Sequence, residues 1–170
     1  MRIHQFSMIY SPLEDRIVFR LNTLEKEEFK FFLTRRYVKL LWPLLMKMLE
    51  NDIIQREPEH QHFAGEMLNF EHENIISRSD FGRKYEESSE QFPLGTETIL
   101  LARIQVKKGP QSDILCLLPE KGKGIELGVN QTFLHTFCKL LKDTVKKADW
   151  DLGAEMWMRE SPPPSKRVLH

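Results

Sequence analysis

Residues 28–49 read EFKFFLTRRYVKLLWPLLMKML, and residues 125–145 read IELGVNQTFLHTFCKLLKDTV. Each stretch begins with apolar residues at every second position, Phe29, Phe31 and Leu33 in the first and Ile125, Leu127 and Val129 in the second. That alternation is the mark of a strand with one buried face. A residue suited to cap a helix follows, Thr34 or Asn130. The period then changes. Tyr37, Val38, Leu41, Leu44, Leu45, Met48 and Leu49 recur at helical spacing, as do Phe133, Leu134, Phe137, Leu140, Leu141, Val145 and Ala148. The spacing predicts a strand running into a long helix in both places, the second ending near Asp149. Pro43 lies inside the first, where a proline costs about 3 kcal/mol or more, so a kink near residues 39–43 or a regular helix starting at Pro43 is expected.

Working outward, residues 3–10 and 16–22 alternate as strands, with Ile17, Phe19 and Leu21 on one face and Arg16, Val18 and Arg20 on the other. Residues 98–107 and 113–118 read the same way ahead of the second stretch, with Leu100, Ala102, Ile104 and Val106 on one face. The last strand and helix of the two regions align at an offset of 96. The preceding strand aligns at 97, which sets Ile17, Phe19 and Leu21 against Ile114, Cys116 and Leu118. The expected fold is α+β: two repeated β-β-β-α units about a pseudo-twofold axis, antiparallel sheets with helices on one face. It is one duplicated domain over residues 1–152, with halves at 1–50 and 98–152. An acidic insert over 51–97 separates them, and a flexible tail over 153–170 carries three consecutive prolines. Within the insert, residues 61–77 read as a helix with Phe63, Met67, Phe70 and Ile75 inward. Residues 79–95 read as an extended crossover anchored by Phe81, Tyr85 and Phe92.

The chain has 170 residues and zero formal net charge, which gives no overall bias toward nucleic acid or membrane. The charge is unevenly placed: residues 50–100 hold twelve Asp/Glu against four Lys/Arg, whereas residues 1–49 and 101–149 each hold nine Lys/Arg against five Asp/Glu. No apolar run approaches the roughly 18 residues of a membrane span. The N-terminus shows no basic-then-apolar signal pattern, and Cys116 and Cys138 fall in apolar patterns as reduced core thiols. The expected compartment is the cytoplasm.

Catalytic chemistry finds no anchor. There is no Gly-x-Ser-x-Gly and no cysteine in a reactive context. Gly122, Gly124 and Gly128 read as turn residues because no Walker spacing follows. His60, His62 and His72 cluster with Glu66, Glu71 and Glu73, but match no ligand spacing and read as a solvated acidic linker. No catalytic residue, metal site or cofactor is expected.

The polar face of the first sheet is the more informative feature. Arg16, Arg20, Lys30 and Phe32 point outward together, and Arg103, Gln105, Lys107, Leu115, Leu117 and Glu126 form the matching set in the second half. Cations around aromatic rings suit single strands, whose phosphates meet the charges while bases stack. Duplicated strand-rich units with one long helix resemble, in architecture, the Whirly and Pur-type single-strand binders, which have four strands per unit where three are counted here. The carboxylates of the insert are expected to lie over the basic face and neutralise it. The leading expectation is a non-enzymatic binding or adaptor protein that engages a protein partner through outward Phe32, Leu115 and Leu117 and the tryptophans and methionines near the C-terminus, with self-association as a homodimer included. The alternative is single-stranded nucleic-acid binding through Arg16, Arg20, Lys30, Phe32, Arg103 and Lys107.

Overall fold

The structure, a computed structural model, describes residues 1–152. The flexible tail expected over 153–170, with Met156, Trp157 and Met158, lies outside the described residues. The element order is β1 (Ile3–Ser11), β2 (Arg16–Thr23), β3 (Glu28–Leu33), α1 (Arg35–Arg56), a 3-10 turn (Pro58–Phe63), α2 (Ala64–Arg78), β4 (Ile99–Leu100), β5 (Arg103–Lys107), β6 (Ile114–Leu118), β7 (Ile125–Gly128) and α3 (Gln131–Ala148). These elements make an α+β fold with two sheets, ordered β1-β2-β3-β4 and β5-β6-β7. All strand pairs are antiparallel except β3 with β4.

The strand expected over 98–107 is divided. Ile99 and Leu100 pair in parallel with Phe31 and Phe32. The Leu101 amide donates to the Phe32 carbonyl, and the next amide, Ala102, donates to Leu118. The chain therefore leaves the first sheet and joins the second within one residue, and Leu101 is buried at the crossing. A single alternating face cannot persist through such a transfer, so Leu100 and Ile104 do not share one.

The faces of β6 are also the reverse of the expectation. Leu115 opposes Leu127 and Leu117 opposes Ile125, and all four are buried. Cys116 instead stands between exposed Gln105 and Glu126. Leu115 and Leu117 are core residues, not outward hydrophobics. The error was a one-residue slip in β6, which exchanges faces because the side-chain period is two. Gly122 takes a φ of +98°, and a Cβ on Gly124 would collide with the Leu117 carbonyl, so these glycines serve the β6–β7 hairpin.

Both long helices start where the sequence places them. The Thr34 hydroxyl accepts from the Tyr37 amide at 3.2 Å, and the Asn130 carboxamide oxygen from the Phe133 amide at 2.8 Å. Each cap contributes about 1 kcal/mol. Helix α1 continues through Pro43, which faces solvent, and reaches Arg56 with Ile53 buried. The helix thus runs six residues past residue 50, where the first half was expected to end. The facing of α2 agrees in part with the expectation: Met67 packs against the core and Ile75 is half-buried, but Phe63 and Phe70 are exposed and Ala64 and Leu68 are buried instead.

The helices cross between the strand regions. Phe137 of α3 packs edge-on against Phe19 of β2 at 5.3 Å, and Phe133 meets Phe6 of β1 at 5.1 Å. Phe19 and Phe31 stack at 6.2 Å beneath them. In the other direction, the Tyr37 hydroxyl of α1 donates to the Arg103 carbonyl of β5 at 3.1 Å. One apolar cluster results, joining both sheets and all three helices. At about 1.5–3 kcal/mol for each large side chain taken from water, this cluster dominates stability.

Asp15 closes the far end. It sits in the left-handed region of the β1–β2 turn, and its carboxylate accepts from the Tyr10 hydroxyl (2.7 Å), the Trp150 indole (2.8 Å) and both Arg35 Nε and Nη2. These bonds, from the Trp150 indole first, hold its carboxyl below the usual carboxylate range. They tie the exit of α3 to the first hairpin. The corrected register has a direct consequence. Leu117→Ala should cost about 2–5 kcal/mol in urea unfolding, while Gln105→Ala on the opposite face should cost no more than about 0.5 kcal/mol.

Candidate functional site

The outer face of the first sheet is a grid set by strand register. One row is Ile9–Val18–Phe32–Leu100, the next Ser7–Arg20–Lys30, and the next Gln5–Asn22–Glu28. Alternation creates it: the same strands turn Phe19, Leu21, Phe29 and Phe31 into the core, so their neighbours face away.

The two sides of this grid differ. The Gln5–Asn22–Glu28 side is covered by the acidic crossover of the insert. The Gln5 carboxamide donates to the Lys84 carbonyl (3.2 Å) and accepts from the Glu86 amide (3.0 Å), and Asn22 Nδ2 donates to the Glu86 carbonyl (3.1 Å). The Tyr85 ring lies 4.4 Å from the Arg20 guanidinium. Burial first, then the Glu28 charge, pushes the Tyr85 phenol up to about 12. Further along, Glu90 pairs with Lys26, and the Glu28 amide donates to the Gln91 carbonyl at 2.9 Å.

Arg20, the central cation of the expected basic patch, is engaged on all sides. Glu28, only 5% exposed, accepts from Arg20 Nε and Nη2 at 3.2 and 3.0 Å, and Glu87 accepts at 3.1 Å. Burial opposes its charge, but these carboxylates outweigh it and raise its pKa. Lys30 lies 3.8 Å from Glu28. The carboxylates of the insert do lie over this part of the sheet.

The Ile9–Val18–Phe32–Leu100 side is open. Ile9 is 59% and Leu100 43% exposed, with Val18 and Phe32 half-buried between them. Arg16 lies with its guanidinium 5.1 Å from the Phe32 ring. Phe32 therefore does face outward, but its apolar neighbours are Ile9, Val18 and Leu100. Sequence reasoning missed Ile9 and Leu100, although alternation within residues 3–10 would have placed Ile9 opposite Phe6 and Met8.

Arg103 and Lys107 stand exposed on the outer face of the second sheet, with Gln105 between them. Arg103 Nε donates to the Pro119 carbonyl at 2.9 Å, and Lys107 pairs with Glu126 at 2.6 Å. Cys116 and Cys138 are free and buried, and burial pushes both thiols up, so neither is poised as a nucleophile. Among the described residues, no group of three or more His, Cys, Asp or Glu could hold a metal ion. No helix among them is long and apolar enough to cross a membrane. Two open grooves, of about 390 and 230 Å3, lie beside His4 and Phe133 and beside Lys108 and Ser112.

His72 has a different partner from the one its sequence neighbours suggest. Its Nδ1 lies 2.9 Å from Nδ1 of His135 on α3, which is wholly buried, while His62 is exposed. One of the two nitrogens must donate. His135 Nε2 is buried without a partner, and an orphaned acceptor is cheaper than an orphaned N–H, so His135 donates through Nδ1. Beside the pair, Arg56 bridges Asp52 and Glu71, both of which also accept from Gln131.

No protein family profile matches this chain, and neither a curated protein nor a solved structure matches it.

Burial, then the charges of His72 and Arg56, holds the His135 pKa down at about 4. Burial also lowers His72, helped by Lys142 and Lys139 and opposed by Glu73. The unfolded chain takes up protons below about pH 6.5 that the native pair refuses. The pair's contribution is thus complete above pH 6.5 and lost as pH falls toward 4. Urea unfolding between pH 7.5 and 5 should show stability falling by up to about 1.4 kcal/mol per unit for His135, with a flatter slope in His135→Leu.

Proposed function

We propose that this chain is a non-enzymatic binding module that docks a protein partner on the outer face of its first sheet. The observation that carries the reading is the in-register row Ile9–Val18–Phe32–Leu100, apolar across four strands yet turned to solvent. A sheet face without function is expected to alternate polar residues there. Arg16 and Lys30 border the row, which suits the apolar centre and polar rim of a protein interface. Strand β1 ends the sheet, so a second copy is one admissible partner.

Two further readings belong to this proposal. One is duplication. Leu115 opposes Leu127 as Phe19 opposes Phe31, and the two helix caps bond in the same way; each of these residues stands 96 positions after its counterpart. A constant offset through β6, β7 and α3 supports two related β-β-β-α units better than the shifted alignment of the sequence did. The other is cytoplasmic residence, which two free buried thiols suit.

Single-stranded nucleic-acid binding is the second reading. The Arg16–Phe32 contact favours it, with Arg103 and Lys107 exposed on the other sheet. It ranks lower because Arg20, Lys30, Lys26 and Lys107 already face carboxylates.

The readings separate in one experiment. Nuclease-treated host extract is passed over the immobilised protein and over an Ile9→Glu/Leu100→Glu variant. The docking reading expects a partner retained by the first and lost by about tenfold or more from the second, with stability altered by no more than about 0.5 kcal/mol for each substitution. Retention by both would exclude this face, and oligonucleotide retention that falls steeply with salt would favour the second reading.

A further inference from the structure

We infer that the covered side of the same face is a reading site for an extended acidic peptide, occupied here in cis by Lys84–Glu87. The inference rests on the protein-binding reading above and names the chemistry of the partner. Its basis is how Gln5 and Asn22 hold the crossover. The Gln5 carboxamide bonds the Lys84 carbonyl and the Glu86 amide, and Asn22 bonds the Glu86 carbonyl. All three contacts are to main chain, two residues apart on one extended segment. Two side-chain amides arranged in this way recognise a peptide backbone whatever its sequence.

Side chains then add selectivity. An aromatic ring lies against Arg20, as Tyr85 does. A carboxylate two residues on bonds Arg20, as Glu87 does, while Glu86 lies 3.6 Å from His4 and Glu90 pairs with Lys26. The site therefore takes an aromatic residue followed by two acidic ones. A polynucleotide fits less well: it offers no main-chain N–H to the Gln5 oxygen, and Glu28 beneath Arg20 repels phosphate.

The cis segment is an imperfect occupant. The hydroxyls of Ser7, on the sheet face, and Ser89, in the crossover, are buried with no hydrogen-bond partner among the described residues, which carries a desolvation cost. Residues 80–90 form neither helix nor strand, so lifting them melts no element. The Ile9–Val18–Phe32–Leu100 row lies next to the covered rows, where a longer trans segment would continue onto it.

The probe is a fluorescein-labelled peptide of residues 81–92, FGRKYEESSEQF, titrated by anisotropy into the full chain. A Tyr85→Ala/Glu87→Ala chain, with its cis segment weakened, should bind the peptide roughly tenfold or more tightly than the unmodified chain, because intramolecular competition is relieved. Adding Gln5→Ala should return that gain. Glu86→Pro, which removes the amide that Gln5 accepts from, gives an independent way to weaken the cis segment should the double variant misfold by circular dichroism. Equal peptide affinity for the unmodified and weakened chains overturns the inference. So does binding indifferent to Gln5→Ala, or an oligothymidylate that binds the weakened chain more tightly than the peptide. The extract experiment reads the Ile9–Val18–Phe32–Leu100 row and the peptide titration reads the Gln5 and Asn22 carboxamides, so loss of the docking reading and loss of the peptide site are distinguished.

Discussion

The packing of Phe137 against Phe19 is the contact on which the molecule depends. The first ring stands on α3 and the second on β2, so residues far apart in the sequence meet where the inner face of the first sheet is covered. Phe6 and Phe133 extend the contact and Phe31 supports it from below. Tyr37 makes the reciprocal reach from the first helix to β5. A sheet with one apolar face must bury it against another element, and each sheet here is packed by residues from a distant part of the chain. The transfer of the chain between sheets at Leu101–Ala102 is compatible with this arrangement because both residues keep their amides bonded, one to each sheet.

With the inner face committed to the aromatic cluster, the outer face of the first sheet is left to solvent or to a partner. The insert resolves half of this. Its charge was visible as twelve acidic residues over 50–100, but charge alone would place it anywhere near cations. What fixes it is a set of directed bonds: two carboxamides on its backbone, Arg20 between Tyr85 and two glutamates, and Gln91 against the amide of Glu28. The exposed ion pairs around them, such as Lys26–Glu90, add little, since such pairs contribute about 0–1 kcal/mol each. Directional hydrogen bonds and the partly buried Arg20–Glu28 pair decide the geometry. The uncovered half, by contrast, is apolar and has no directed partner from the insert.

Local periodicity carried most of the element map. Thr34 and Asn130 were legible as caps because a short polar side chain before a helical stripe has one economical use. The three N-terminal strands, the three helices and their order followed from the same reasoning. The slip in β6 had an equally plain cause: residues 114–118 are Ile-Leu-Cys-Leu-Leu, apolar on both faces, so alternation held no information about which side was inward. The facing of α2 had another. Phe63 and Phe70 are the largest apolar residues in that stretch, yet Ala64 and Leu68 are the ones buried, because which side of a helix faces its neighbours is set by tertiary packing and not by side-chain size.

The sequence by itself determined the α+β class, the strand-to-helix switches with their caps, the outward placement of Arg16, Arg20, Lys30 and Phe32, and the acidic character of the crossover. These are local properties, set by spacing of two or 3.6 residues and by side-chain type. Tertiary structure alone decided that Arg20 is enclosed by Glu28, Glu87 and Tyr85, that His72 meets His135 across two helices, and that Ile9 and Leu100 join Phe32 in one row. Each of those pairings joins residues 8 to 91 positions apart. Their proximity depends on strand register and on the path of the insert, and neither is encoded in any single window of the chain.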